Sequence, residues 1–378
     1  MKNVKLTYVL AVLLTMLCAL ASCTQSGGYS ESGGEAIAMR YSELLRLKDC
    51  QGYVSAEIIN PWDTTKLLHR YILVEADGSM PESLPEGDVV RIPLQKSVVS
   101  TSVHCSLINE LGAYRAIRGV CDADYLYLKA LKDEIKAGNV ADVGSSMEPD
   151  IEKLIDLSPD AVLMSPYESS GSYGKLGKLG IPLIECADYM EQTALGRAEW
   201  IRFFGLLYGQ QAKADSIFSC VEKAYLSLRD SASAMKEHPT VLTEMKSGST
   251  WYVAGGNSYV ARLLKDAGAD YIFKDEPSAG SVPYDPEMVF YRGQKADYWL
   301  VKYNQPTVMT KEQLAQQWTL NMQMDAYRNG RAFGVNLSRG TFYEETPFHP
   351  ELLLRDLVSI FHPSANGART MRYYQQIR

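Results

Sequence analysis

Histidine, the side chain most often used for metal binding and acid–base chemistry, is rare in this chain. No two histidines lie four residues apart, the spacing that places both imidazoles on one helix face for zinc: the five are His69, His104, His238, His349 and His362. His349 and His362 each precede proline and are interpreted as turn residues, whereas His104 could reach a binding cleft. The sequence therefore disfavours a site for a bare transition-metal ion.

Motifs for covalent or phosphate chemistry are also missing. Gly255-Gly256 is not followed by the Lys-Ser/Thr pair of a phosphate-binding loop, and no Gly-x-Ser-x-Gly elbow occurs. The cysteines after residue 23 are widely spaced and form no Cys-x-x-Cys pair: Cys50, Cys105, Cys121, Cys186 and Cys220. We interpret them as buried apolar residues, although a single disulfide stays open in an oxidising compartment. The sequence predicts a binding protein rather than an enzyme, with no catalytic residue, metal site or cofactor.

Tyrosine is abundant, with 24 residues in the chain. Several tyrosines follow predicted strands, and α/β folds bind ligands at the carboxyl ends of their strands. Large flat side chains with a polar edge suit a bulky amphipathic ligand, and an arginine could meet its carboxylate. Any one of these tyrosines could instead be a packing residue. The expected ligand-binding residues are Tyr167, Tyr173, Trp251, Tyr252, Tyr284, Arg339 and Tyr343.

Two runs of alternating strands and helices must position these side chains. Short apolar strands alternate with amphipathic helices over 93–208 and again over 239–378, a pattern typical of parallel sheets covered by helices. Between them, 209–238 contains the clearest helical periodicity, with no proline before Pro239. We predict an α/β fold of two Rossmann-like lobes joined by a long α-helix. An extra β-rich segment is predicted over 52–92.

The N-terminus resembles a secretory signal of the lipoprotein type. Lys2 and Lys5 precede an apolar run that ends in Leu20-Ala21-Ser22-Cys23, which resembles a lipobox. Residues 1–22 are predicted to be the signal peptide, and Cys23 is predicted to be acylated. An ordinary signal peptide cut nearby is the alternative. Residues 23–51 are predicted to be a tether and a short helix.

The overall charge argues against two classes of partner. The chain has 38 basic and 45 acidic side chains, a net charge of −7, and no basic cluster. Nucleic acids and anionic lipid headgroups attract positively charged surfaces. We therefore expect neither as the ligand.

A weak internal repeat links the two halves. Asp150-Ile-Glu152 and Asp285-Pro-Glu287 each open a predicted helix that is followed by an aspartate and an apolar strand. The spacing from the glutamate to that aspartate differs, with Asp160 in the first half and Asp297 in the second. The repeat favours two lobes of similar plan.

These segments carry a resemblance to the substrate-binding proteins of ABC importers for ferric siderophores, haem and cobalamin. It covers roughly residues 90–362, and the unit from Glu152 to Met164 is its most specific element. The resemblance implies two α/β lobes facing each other across a long helix. It also implies that Glu152 and Glu287 dock onto arginines of the membrane permease. Ordinary helix N-terminal acids are the alternative reading of both glutamates.

The expected function is that of a periplasmic, membrane-anchored lipoprotein of the cell envelope. It would bind a metal chelate or a corrinoid and deliver it to an ABC permease in the inner membrane, while acylated Cys23 holds it to the lipid bilayer. An envelope enzyme acting on a chelate or tetrapyrrole, and a structural lipoprotein, are the rival readings. The sequence leaves open which chelate is bound, which membrane holds the anchor and what 52–92 does.

Overall fold

The computed structural model describes residues 34–168, 173–338, 340–363 and 370–378. It contains three five-stranded sheets and one two-stranded ribbon. Among these residues, no helix combines the length and the apolar character that a membrane crossing requires.

The first sheet is N-terminal and has its strands in sequence order. Its strands are β1 (Glu35–Ile37), β2 (Leu45–Cys50), β3 (Tyr53–Ile59), β4 (Leu67–Glu75) and β5 (Asp88–Ile92). The prediction of a short helix before residue 52 is therefore wrong for residues 34–51, which form strands instead. Leu45 and Leu47 are buried on either side of the exposed Arg46, which is the two-residue period of a strand, and β2 pairs along its whole length with β3.

One face of this N-terminal sheet is covered by the chain between β4 and β5. Strands β4 and β5 are neighbours and parallel, so the chain must cross over one face of the sheet between them, which it does with residues 76–87. Beneath this crossover Arg70 forms a buried ion pair with Glu57, its partner across the strands, at 3.0 Å. Arg70 also donates to the carbonyl of Glu86 in the crossover.

The first lobe is a parallel sheet with its helices. Its strands follow the order β10-β9-β6-β7-β8, and β6 and β9 are buried at every residue. The strands are β6 (Ser97–Val99), β7 (Ile117–Val120), β8 (Ala141–Asp142), β9 (Ala161–Met164) and β10 (Leu183–Glu185). The helices are α1 (Ser102–Glu110), α2 (Lys129–Lys136), α3 (Ile151–Leu157), α4 (Ala194–Glu199) and α5 (Ile201–Leu207).

A long helix, α6 (Gln211–Ser233), separates the two lobes in the sequence. It lies inside the predicted range 209–238 and packs against α5. At its far end the hydroxyl of Tyr225 donates to Asp266 of the second lobe at 2.6 Å. The helix therefore contacts elements from both halves.

The second lobe repeats the plan of the first. Its sheet has the order β13-β11-β15-β16-β17, and all pairs are parallel except that β17 runs antiparallel. The strands are β11 (Thr240–Thr243), β12 (Trp251–Ala254), β13 (Asp270–Tyr271), β14 (Ser281–Tyr284), β15 (Tyr298–Tyr303), β16 (Ala332–Asn336) and β17 (Gln375–Gln376), of which β12 and β14 form the ribbon. The helices are α7 (Tyr259–Asp266), α8 (Pro286–Gly293), α9 (Lys311–Gln317), α10 (Asp325–Arg328), α11 (Phe342–Glu345) and α12 (Pro350–Phe361). The predicted fold class is confirmed.

The N-terminal sheet is held to the first lobe by two buried carboxylates. Glu199 and Glu191, 0% and 3% exposed, accept hydrogen bonds from five consecutive backbone N–H groups, those of residues 40–44, at 2.7–3.1 Å. The indole of Trp200 donates to Glu191 as well. Buried carboxylates are tolerated when hydrogen bonds replace their hydration, and these five amides supply them.

The same sheet also covers the edge of the first-lobe sheet. Strand β10 is an edge strand, whose outer backbone groups have no neighbouring strand to pair with. The hydroxyl of Tyr71 in β4 donates to the carbonyl of Leu183 at 2.7 Å and accepts from the N–H of Glu185 at 2.8 Å. One side-chain hydroxyl therefore replaces the missing strand at this point.

Tyr71→Phe should lower the stability of the protein. It leaves a buried carbonyl and a buried N–H without a partner, each of which costs about 1–3 kcal/mol. We expect a lower midpoint of thermal unfolding and faster amide exchange at Glu185. Tyr291→Phe is the matched control, because Tyr291 is 73% exposed. Equal midpoints for the two variants would show that the edge strand does not need the Tyr71 hydroxyl.

Candidate functional site

The two lobes place corresponding residues in corresponding positions. Asp160 accepts from the N–H groups of Gln95 and Lys96 beside the start of β6. Asp297 accepts from the N–H of Thr240 at the start of β11. In each lobe the first strand of the parallel sheet, β6 or β11, therefore begins beside a carboxylate that lies just before its neighbouring strand, β9 or β15. The parallel strands of each lobe consequently end at one edge, where α/β proteins bind their ligands.

Large exposed side chains gather at these carboxyl ends. Their exposed fractions run from 37% to 74%, and they follow β7, β8, β9 and β10 in the first lobe and β11 and β16 in the second. Single exposed apolar residues are ordinary, but several at the strand ends of both lobes make this edge a candidate recognition surface. The residues are Tyr125, Tyr127, Met147, Tyr167, Tyr189, Tyr252 and Tyr343.

Two connected cavities form a cleft at this edge. The outer cavity has a volume of about 620 Å³ and is lined by Tyr252 and Tyr343. The inner cavity, about 360 Å³, lies between the lobes, since Arg197 of the first lobe lines it together with second-lobe residues. Both cavities share Glu244 and Lys302 in their walls, so we treat them as one site and call it the cleft.

Among the described residues, the cleft lining has one excess positive charge and a hydroxyl without a hydrogen-bond partner. Its charged lining consists of Arg197, Lys246, Lys302 and Glu244, and Arg197 is paired with Asp188 behind the wall at 3.3 Å, so that Lys246 alone has no ion-pair partner among the described residues. Lys302 and Glu244 are 2.6 Å apart. The hydroxyl of Tyr259 is buried without a hydrogen-bond partner among the described residues, and burial raises its pKa to about 12. It stays protonated at neutral pH and can donate to an oxygen of a ligand.

Behind the cleft the lobes are held together by polar contacts. The N–H of Tyr127 donates to Glu344 at 2.9 Å, and its hydroxyl donates to the carbonyl of Leu337 at 3.0 Å. His349 lies 2.8 Å from Glu110 of the first lobe and 3.2 Å from Glu351. These contacts fix the lobes relative to each other, so the cleft is formed in this structure.

The structure places the seven predicted ligand residues in different environments. Tyr252 and Tyr343 line the cleft. Trp251 does not, because it is 0% exposed and stacks on Trp299 in the core, with its indole N–H donating to the carbonyl of Thr243. Its assignment as a ligand contact is therefore corrected to a packing role.

Three of the other predicted residues also lie away from the cleft. Tyr284 is on the ribbon, where it pairs with Trp251 across the strands and donates its hydroxyl to Glu276. Tyr167 and Tyr173 line a separate cavity beside the N-terminal sheet. Arg339 lies outside the described residues.

Glu152 and Glu287 occupy equivalent positions, one in each lobe. Both are exposed, and each is the second residue of its helix, α3 or α8. The preceding Asp150 and Asp285 cap these helices by accepting from the N–H of Glu152 and of Glu287. The side chains of both glutamates are exposed and form no ion pair with the described residues.

Histidine and cysteine residues are used structurally. His104 does not reach the cleft: it is 2% exposed and lies 2.8 Å from Asp188, which also binds Arg197. Four of the five described cysteines are buried, and Cys220 is exposed. Within the described ranges no group of three or more histidine, cysteine, aspartate or glutamate residues has the geometry of a metal site.

Sequence reasoning missed several cleft residues. The strand-end rule that selected Tyr167 also selects Tyr127 and Tyr189, which are exposed but do not line the cleft. Lys302 and Tyr259 carried no such signal, because each lies inside a regular element, β15 or α7. Only the tertiary packing within the second lobe brings them into one cavity.

Comparison with known proteins gives one consistent result. The model of the periplasmic binding protein family matches residues 98–336. An uncharacterized lipoprotein of Methanocaldococcus jannaschii is 28% identical over 345 residues, covering 85% of this chain and 81% of that protein. The high-affinity heme uptake system protein IsdE of Staphylococcus aureus is 26% identical over 144 residues, 36% of this chain and 46% of that protein. A periplasmic heme binding protein from Pseudomonas aeruginosa shares the fold, with a TM-score of 0.58, 18% identity and coverage of 75% and 98% of the two chains.

The contact between His349 and Glu110 should make stability depend on pH. Although burial opposes the charged form, hydrogen bonds with Glu110 and Glu351 raise the pKa of His349 to about 10. Its contribution is therefore fully present below about pH 6.5, its unfolded value, and is lost as the pH rises to about 10. Thermal unfolding of the protein and of His349→Gln across pH 6–10 tests this. The two midpoints should converge at high pH, and parallel curves would contradict the assignment.

Proposed function

The chain belongs to the periplasmic binding protein family, and we propose that it is the extracytoplasmic substrate-binding component of an ABC importer for a bulky metal chelate. The observation that supports this most is the cleft between the lobes, with Tyr252 and Tyr343 at the carboxyl ends of the strands. A site built from aromatic rings and a few polar groups binds a ligand through its surface area rather than by coordinating its metal ion directly.

The charge of the cleft favours an anionic chelate. Arg197 is balanced by Asp188 and Lys302 by Glu244, which leaves the positive charge of Lys246 without an ion-pair partner among the described residues, and the Tyr259 hydroxyl needs an acceptor. A ferric siderophore or haem, both of which can carry negatively charged oxygens, would satisfy these groups, while cobalamin is the remaining candidate. Similarity to heme uptake and heme binding proteins supports the iron-chelate class.

We further propose how the protein is anchored and docked. Cys23, outside the described residues, would be acylated after removal of the signal peptide and would hold the protein to the lipid bilayer. Similarity to a lipoprotein supports this. Glu152 and Glu287 would then bind arginines of the permease, because two exposed carboxylates on a rigid scaffold form a two-point electrostatic contact.

Ligand identity and site can be tested together by titrating the protein with haem, cobalamin and a panel of ferric siderophores under native mass spectrometry. We expect one iron chelate to bind. Tyr252→Ala and Tyr343→Ala should each weaken its binding by about 5- to 30-fold, the loss of one aromatic contact. Tyr259→Phe should weaken binding without lowering stability, since its hydroxyl has no partner to lose.

The matched control for these variants is Tyr291→Ala, an exposed tyrosine on α8. It should bind the chelate like the unmodified protein. If a chelate binds tightly and none of the cleft variants weakens its binding, the ligand lies elsewhere. If no member of the panel binds, the proposed chelate class of ligand is refuted.

The docking proposal predicts that replacing Glu152 and Glu287 together by Ala abolishes most transport while chelate affinity stays unchanged. Capture and docking use different surfaces, so the two measurements should separate. Glu82→Ala with Glu237→Ala is the control pair, since both glutamates are exposed and neither opens a lobe helix. Normal uptake by the Glu152/Glu287 variant in reconstituted vesicles would refute the docking role.

A further inference from the structure

A second cavity of about 530 Å³ lies between the N-terminal sheet and the first lobe. Its walls come from the β3–β4 turn, from β4 and β5, and from residues beside β9 and β10. None of its lining residues also lines the cleft. Its N-terminal wall lies outside residues 98–336, the part of the chain that the family shares. The cavity therefore exists because this chain has the extra sheet.

Aromatic rings form much of this second cavity. Tyr167 and Tyr173 stand edge to face, with centroids 6.2 Å apart, and so provide two walls at right angles. Trp62 supplies another ring, which is partly exposed and makes no ring–ring or cation contact with the described residues. A partly exposed tryptophan that lines a cavity presents aromatic surface to it, and the indole ring is the side chain that binds cations best.

The charge of the second cavity is opposite to that of the cleft. Asp88, Glu168 and Glu185 line it, and of the described residues in its walls only His69 can carry a positive charge. His69 lies between two of these carboxylates, 3.0 Å from Asp88 and 3.3 Å from Glu185, and so balances one charge. Glu168 is exposed and has no ion-pair partner among the described residues. The lining keeps an excess of negative charge beside the free ring of Trp62.

From this arrangement we infer that the second cavity binds a small organic cation carrying an ammonium group. The carboxylates attract its charge, while the faces of Trp62 and Tyr167 contact its charged end and its hydrocarbon. The volume lies within the range of small-molecule sites. An anionic chelate suited to the cleft is repelled here, so the two sites take different ligands.

The test uses the purified full chain with putrescine and spermidine as probes, measured by calorimetry and saturation-transfer NMR. Butane-1,4-diol is the matched neutral probe, because it has the carbon chain of putrescine without the charge. The diamine should bind, the diol should not, and added salt should weaken the diamine. Trp62→Ala and Glu168→Gln should each weaken putrescine by about fivefold or more, whereas Trp62→Phe should retain most of the binding.

Glu82→Gln serves as the control for Glu168→Gln, since it removes an exposed carboxylate that does not line the cavity. It should leave putrescine binding unchanged. The proposal is overturned if neither amine binds or if butane-1,4-diol binds as well as putrescine. It is also overturned if Trp62→Ala and Glu168→Gln both bind normally, because the amine then occupies another site. Chelate binding in the cleft is measured separately, so failure of one proposal does not decide the other.

Discussion

The architecture depends on two buried carboxylates, those of Glu191 and Glu199, and the five backbone N–H groups of residues 40–44. The carboxylates need the amide donors, and the amides need the carboxylate acceptors. Buried carboxylates without hydrogen bonds would cost several kcal/mol, and so would buried amides without acceptors. Because the five amides are consecutive, the contact fixes the path of the chain just before β2. The position of the whole N-terminal sheet against α4 and α5 follows from it.

In this position the N-terminal sheet covers the exposed edge of the first-lobe sheet. Tyr71 reaches the outer edge of β10, and the gap beside this contact becomes the second cavity. The extra sheet thus protects an edge strand that would otherwise be open to pairing with another chain. The sheet also forms one wall of the second cavity. The same element therefore stabilises the first lobe and creates a candidate binding surface, the one for which we infer an organic cation.

The cleft arises from a different constraint, the repetition of one α/β plan in two lobes. Parallel strands bring all their carboxyl ends to one edge, and the contacts of Tyr127 and His349 hold the two edges opposite each other. A cleft held in this way needs little rearrangement to accept a rigid ligand. The separation of a positive cleft from an acidic cavity means that charge alone can sort ligands between the two sites.

Local sequence patterns determined the fold class of this protein and the location of its main helices and strands. The alternation of strands and helices, the long helix α6 and the Asp-x-Glu units at Glu152 and Glu287 depend on residues close together in the chain, so periodicity and capping chemistry reveal them. The aromatic residues after strands could be recognised in the same way. The family resemblance rested on these same segments.

Tertiary structure alone decided which of the selected residues line the cleft. Trp251 and Tyr252 are neighbours on β12, and a strand sends successive side chains to opposite faces. Which face is buried depends on Trp299, a residue distant in sequence that packs on Trp251. Likewise β2 is a strand because β3 pairs with it, and Tyr167 lines the second cavity because the N-terminal sheet stands beside it. Contacts between distant segments leave no periodic signal in a single sequence, and these outcomes therefore required the folded chain.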